Sequence, residues 1–263
     1  MAVIRDIYNY LEQIAPSRYK MDFDNVGLLI GDEERNADRV LVALDITGEV
    51  AQEAVGWGAG LIISHHPVFF TLKDVTASDP IGRRVMFLIE NRCAAICMHT
   101  NLDAAYKGVN DALANALCLA DTMPLGYFGD DSAGTIGIGR IGSLAHDTPL
   151  PEFLRSVKTA LNSNGLRYYN AGKPVRRVAV GGGSCGDYFK YAAEKGCDTF
   201  VTADIKYDVF LQAKEAGINI IDADHFSTEN VIVPVLAADL SKRFPQTQFR
   251  ISLTHGPTAE FYI

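Results

Sequence analysis

The sequence predicts an α/β protein of two layered domains built on mainly parallel or mixed sheets, and three observations carry that expectation. At 263 residues, 48% of them hydrophobic, the chain can bury the core of one large domain or two modest ones. Short β-branched runs alternate with stretches of helical periodicity, the pattern of βα units feeding a sheet. The alternation breaks once, in the glycine-rich and polar stretch 121–142, and then resumes.

The opening residues, MAVIRDIYNYLEQIAP, place Ile4, Ile7, Tyr8, Leu11 and Ile14 on one face at helical spacing. That face is amphipathic, unlike the uniformly apolar core of a signal peptide. Asp24 and Asn25 in DFDNVGLLIGD read as turn residues ahead of an apolar strand. Strands are then expected over 39–45, 61–64 and 94–98, with helices over 50–57, 81–91 and 110–119. Asp45, at the end of the first of these strands, either points into the crevice beyond the strand ends or caps the helix near Thr47, and the cap is the preferred reading. Residues 121–142 are a domain boundary or a strand-turn-strand excursion, which gives domains of 1–125 and 126–263. In the second, a helix over 150–161 precedes strands over 177–180, 199–202 and 219–222, with helices over 187–195 and 207–216 between them. Gly181-Gly182-Gly183-Ser184 lacks both G-x-G-x-x-G and the G-K-[ST] ending, so it reads as a tight strand-to-helix turn before it reads as an anion cradle. A helix over 235–243 and a strand over 248–253 close the chain, and the segment from about 220 onward is expected to return to the first domain.

The 24 basic and 32 acidic residues leave a net charge of -8, and no Lys/Arg cluster is dense enough to track phosphates, which disfavours nucleic acid as a partner. Cys93, Cys97, Cys118, Cys185 and Cys197 are odd in number and scattered without C-x-x-C spacing, as expected of reduced core thiols in a cytoplasmic protein. No apolar run approaches the roughly 20 residues that span a bilayer.

The chemistry is concentrated at strand ends. His65 and His66 stand where Leu61-Ile62-Ile63 gives out ahead of Pro67, His99 and Asp103 follow in HTNLD, and His225 and Glu229 in DHFSTE. Ligands of open α/β sheets bind beyond the carboxyl ends of the strands, so these three clusters are placed to converge. Successive side chains of an extended chain face opposite ways, and both adjacent histidines serve one site only if the backbone turns there, a change Pro67 supports. Imidazole and carboxylate suit zinc, manganese, iron or nickel. Two divalent ions roughly 3.5 to 4 Å apart need a bridging group, which Glu229 or Asp103 can provide, and they lower the pKa of a bridging water towards neutrality. The implied reaction class is metal-assisted hydrolysis. Ser227 or Thr228 reads as an N-cap that leaves His225 in a loop, and Pro234 discourages a regular helix across 229–233. His146 and His255, in polar or Gly/Pro contexts, are not assigned to the site.

At SHHPVFF, HTNLD, DNVGLLIG, TADIKYD and DHFSTE together, in order and over nearly the full length, the chain resembles the GTP cyclohydrolase I type 2 homologues, or Nif-three-like proteins. The resemblance implies the Nif-three-like fold of two interlinked α/β domains, two divalent metal ions per chain and a toroidal homohexamer built as a trimer of dimers. It implies His65, His66, Asp103, His225 and Glu229 as metal ligands, Glu229 bridging, with His99 beside them; in the hydrolytic reaction expected of such a centre His99 is the catalytic proton shuttle. TADIKYD departs from the family's T-G-D-x-x-[YH]-H: Ala203 replaces a glycine and Asp208 stands where a histidine is common. The expected function is a metal-dependent hydrolase acting through a metal-bridging hydroxide on a small nucleotide-like or cyclic-amide substrate. A non-catalytic metal-binding adaptor, regulator or metal-delivery protein requires the same ligands.

Overall fold

The computed structural model describes residues 2–132 and 134–262. The chain forms two compact units, Met1–Leu102 with Val233–Gly256, and Asp103–Ile232 with Pro257–Ile263. The first begins with α1 (Ile4–Ile14), whose Ile4, Ile7 and Leu11 are buried as the spacing predicts. There follow β1 (Gly27–Ile30), β2 (Arg39–Ala43), α2 (Gly48–Trp57), β3 (Leu61–Ser64), α3 (Pro80–Glu90) and β4 (Ala94–Cys97). Thr47 caps α2 by accepting from the Val50 amide at 3.1 Å, so the cap expected of Asp45 is supplied two residues later. Asp79 caps α3, with Pro80 in the first turn where no amide partner is lost.

The passage to the second unit falls within a five-residue helix, α4 (Thr100–Ala104). Next come α5 (Val109–Ala116), β5 (Ala120–Asp131), β6 (Gly134–Thr148), α6 (Leu150–Ala160), β7 (Arg167–Tyr169), β8 (Val175–Val180), α7 (Phe189–Glu194), β9 (Thr199–Thr202), α8 (Tyr207–Ala216), β10 (Asn219–Asp222) and α9 (His225–Glu229). The glycine-rich stretch is an antiparallel pair, β5 with β6, and positions 125 and 126 lie inside β5. The first unit resumes at Val233, so β10 and α9 stay with the second. There α10 (Ile232–Arg243) starts earlier than expected, because Pro234 falls in its first turn and costs no helical hydrogen bond. The last strand, β11 (Gln248–Ile251), pairs with β2 in the first sheet.

The sheet of the first unit runs β1-β4-β3-β2-β11, parallel except for β1. β3 is buried along its length, which is why Leu61-Ile62-Ile63 shows no alternation. Val50, Ala51 and Ala54 of α2 and Val85 and Leu88 of α3 share one core with Leu41, Ile62 and Ala95. The sheet of the second unit runs β5-β6-β8-β9-β10-β7, with β8, β9 and β10 parallel. Each unit thus presents the carboxyl ends of adjacent parallel strands along one edge, the usual place for a ligand site in such sheets. Among the described residues no helix is long and apolar enough to cross a membrane.

Candidate metal centre

In the first unit, β3 and β4 are parallel neighbours with Ser64 opposite Cys97, so whatever follows each strand emerges at the same edge. His65 and His66 continue the pairing with the β2 chain, their amides donating to Ala43 and Leu44 at 3.3 and 2.8 Å. The Ser64 hydroxyl donates to the His66 carbonyl at 2.7 Å and tightens the turn there. The two rings consequently lie 5.0 Å apart, and the His99 ring stands 5.1 and 5.3 Å from them. One ring nitrogen from each of the three lies within 4.8 Å of the other two. The backbone change of direction that adjacent histidines require is therefore present.

What holds the rings is as informative as where they are. His65 Nδ1 donates to the Met98 carbonyl at 2.8 Å, His66 Nδ1 to Asp45 Oδ1 at 2.7 Å, and His99 Nδ1 to Asp24 Oδ1 at 2.8 Å. A carbonyl or carboxylate only accepts, so Nδ1 carries the proton and Nε2 is the ring nitrogen left to coordinate. Oxygen acceptors behind an imidazole are the usual support of a metal-ligating histidine, fixing tautomer and ring orientation. Burial raises the carboxyls of Asp24 and Asp45, but their histidine bonds outweigh it and both stay well below the ordinary carboxylate range. Asp24 additionally accepts from the Thr100 amide at 3.0 Å and from the Thr100 hydroxyl, and its side chain is fully buried. It is an anchor for His99, not simply the turn residue the sequence suggested. Asn25 donates to the Phe69 carbonyl at 3.0 Å, tying the preceding loop to the chain after His66. Asp45 is likewise not a cap but takes the other course open to it, towards the strand-end histidines, on the same signal of a ligating side chain just beyond a parallel strand.

In the second unit, His225 and Glu229 open and close α9. Asp224, at φ 72°, is the N-cap and accepts from the Ser227 amide at 3.0 Å and its hydroxyl at 2.8 Å. This corrects the expected cap at Ser227 or Thr228, because Asp224 lies one residue ahead of the apparent loop histidine and starts the helix earlier. One helical turn then brings His225 Nε2 to 3.0 Å from Glu229 Oε2. His225 Nδ1 donates to Asp204 Oδ2 at 2.7 Å. Burial disfavours the His225 cation, yet Glu229 and Asp204 together push its pKa up to about 9. Glu229 is itself 3% exposed. Asp103, on α4, is half-buried, and its carbonyl accepts from Asn110 at 3.0 Å.

The Gly181–Gly183 run forms the floor beneath this pair. A Cβ on Gly183, whose φ is +60°, would stand 2.0 Å from Glu229 Oε1 and 3.1 Å from His225 Nε2. The Gly183 amide donates to Thr228 Oγ1 at 3.0 Å, so the loop seats α9. Cys185 follows in that loop, and burial, with Asp103, Asp187 and Glu229 nearby, pushes its thiol far up. Cys93, Cys97 and Cys197 are buried free thiols as expected, whereas Cys118 is exposed. Ala203 is fully buried, its amide donating to the Gly183 carbonyl at 3.0 Å, while Asp208 is an exposed residue of α8. His146 is exposed on β6. His255, passed over in the sequence, lies 3.0 Å from Asp45 Oδ2.

Residues 2–258 match the family described as Duf34/NIF3 (NGG1p interacting factor 3). The chain belongs to that family. A Clostridium perfringens relative named GTP cyclohydrolase 1 type 2 homolog is 36% identical over 233 residues, covering 86% of each chain. Among solved structures, a Bacillus cereus protein related to NIF3 is similar with a TM-score of 0.92 at 26% identity, covering 100% of this chain and 99% of its own. A Staphylococcus aureus hypothetical protein has a TM-score of 0.92 at 30% identity, covering 99% of both. The α/β fold of two sheets is thus the Duf34/NIF3 fold. The donor chemistry fits divalent metal: three imidazoles with neighbouring ring nitrogens in one unit, and in the other a histidine and a buried glutamate over a glycine floor.

Proposed function

We propose that this Duf34/NIF3 protein is a metal-dependent hydrolase with two divalent ions per chain, held by His65, His66, Asp103, His225 and Glu229. The observation that carries the proposal is the uniform support of the imidazoles: each of the four strand-end histidines is held at Nδ1 by an oxygen acceptor. Core packing gives no reason for that uniformity, whereas metal ligation does. Bound there, divalent ions supply Lewis acidity and lower the pKa of coordinated water.

The remaining work falls to side chains. Glu229, buried with two carboxylate oxygens, would serve as a metal ligand, and Gly183 leaves the room it needs. Asp24 fixes the His99 tautomer, so any proton that His99 carries to or from a substrate moves at Nε2. The Phe70 ring packs edge-on to His99 at 5.7 Å. The substrate class proposed is a small nucleotide-like molecule or cyclic amide. Elemental analysis of the protein followed by an untargeted metabolite-depletion screen tests the reading. A metabolite consumed only by the metallated form supports hydrolysis, and a fully metallated protein inert across nucleotides, phosphoesters and cyclic amides refutes it.

A further inference from the structure

Glu53, on α2, gathers the chain that follows β11. Its carboxylate accepts from Ser252 Oγ at 2.6 Å, from the Leu253 amide at 3.1 Å and from Thr254 Oγ1 at 2.9 Å, and it pairs with Arg250 at 2.9 Å. With those residues pinned, the next one, His255, is delivered to the end of β2 as a buried ring, its side chain 6% exposed. His255 Nε2 lies 3.0 Å from Asp45 Oδ2, while the other oxygen of the same carboxylate takes the His66 Nδ1 proton at 2.7 Å. Asp45 is thus shared by two imidazoles. A carboxylate bonded through one oxygen can still swing about its Cβ–Cγ bond, and a donor on the second oxygen stops that rotation. Being anionic, Asp45 only accepts, so His255 presents Nε2–H and His66 presents Nδ1–H.

We propose that His255 is a positioning residue for the metal centre: by locking the plane of Asp45 it fixes the tautomer and aim of His66. The proposal rests on His66 being a metal ligand. His255 acts through Asp45, and the whole chain Glu53, residues 250–255, Asp45 and His66 lies within the first unit. The effect of losing it belongs at the lower edge of the roughly 10- to 100-fold range for groups that orient metal ligands.

The test compares Co²⁺ binding by the full-length wild type, His255→Leu and His255→Gln, with thermal melting of each. Gln can place an amide N–H where the imidazole Nε2–H stood, and Leu cannot. Leu is expected to weaken Co²⁺ binding by up to about tenfold and to shift the visible d–d bands, with Gln restoring both. In metal-free protein, long-range ¹H–¹⁵N spectra are expected to show one His66 tautomer, protonated at Nδ1, in wild type and both tautomers in the Leu variant. Co²⁺ affinity within about twofold of wild type and superimposable bands for Leu overturn the proposal. So does a Gln variant that fails as Leu does, because ring packing and not the donor would then be responsible. If wild type takes up no Co²⁺, the reading of His66 as a ligand fails instead, and the tautomer comparison alone decides whether His255 positions His66.

Discussion

Replacing Asp204 with asparagine isolates the support of a single imidazole. Asp204 Oδ2 accepts from His225 Nδ1 at 2.7 Å, and its side chain is 53% exposed, so the change carries little folding penalty of its own. Its φ of 52° is a left-handed conformation that asparagine tolerates nearly as well as aspartate. The substituted amide keeps an acceptor oxygen while losing the charge. A charge-assisted hydrogen bond is roughly twice as strong as a neutral one, so about 1 kcal/mol of support is lost, a factor of about five in affinity. Freedom of the ring to turn away from Glu229 adds to that, and the combined loss is expected to reach about tenfold, about 1.4 kcal/mol. Competition for Zn²⁺ against a chromophoric chelator measures it, with circular dichroism and melting as controls in the metal-free state. A folded Asp204→Asn variant that binds Zn²⁺ within about twofold of wild type refutes the idea that His225 is a supported ligand.

Three further outcomes are expected. Gly183→Ala forces a left-handed alanine, costing roughly 1–2 kcal/mol, and drives its Cβ to within 2.0 Å of Glu229 Oε1; metal affinity should fall more than the melting temperature does, as chelator competition on the folded variant will report. Asp24→Asn should destabilise the metal-free protein at pH 7 by about 1.5–3 kcal/mol, the worth of hydrogen bonds to a buried charge. Because folding lowers the Asp24 pKa from 3.8, that contribution is full above pH 3.8 and disappears as pH falls further, so urea melts of the two proteins should converge in acid. On the alkaline side, folding raises the His225 pKa from 6.5 to about 9, so its contribution is full below 6.5 and lost as pH rises through 9; His225→Gln and wild type, both metal-free, should converge there in the same melts.

The fold and the ligand candidates were legible because both are written in local signals. An apolar run without alternation marks a strand covered on both faces, and the residues directly beyond such strands share an edge, so His65, His66, His99 and His225 stand out in the sequence itself. The supports were hidden for the opposite reason. Asp24 reaches His99 across 75 residues and Asp45 reaches His66 across 21, and no spacing rule connects them. Asp24 also sits in a turn, as its sequence context says, and nothing in that context signals a second use. Helix α9 was misread because Asp224 caps from a left-handed conformation, which the sequence does not display. His255 looked like a loop residue because its placement depends on β11 returning to β2 and on Glu53 gathering the chain beyond it.

The most direct measurement is the metal content of the protein after reconstitution and desalting, determined by elemental analysis together with a His66→Ala/Glu229→Ala variant. About two divalent ions per wild-type chain, and fewer than about one in the folded variant, are expected of a centre built on these ligands. A wild-type chain that holds no more than about one ion, or a variant that still holds two, contradicts it.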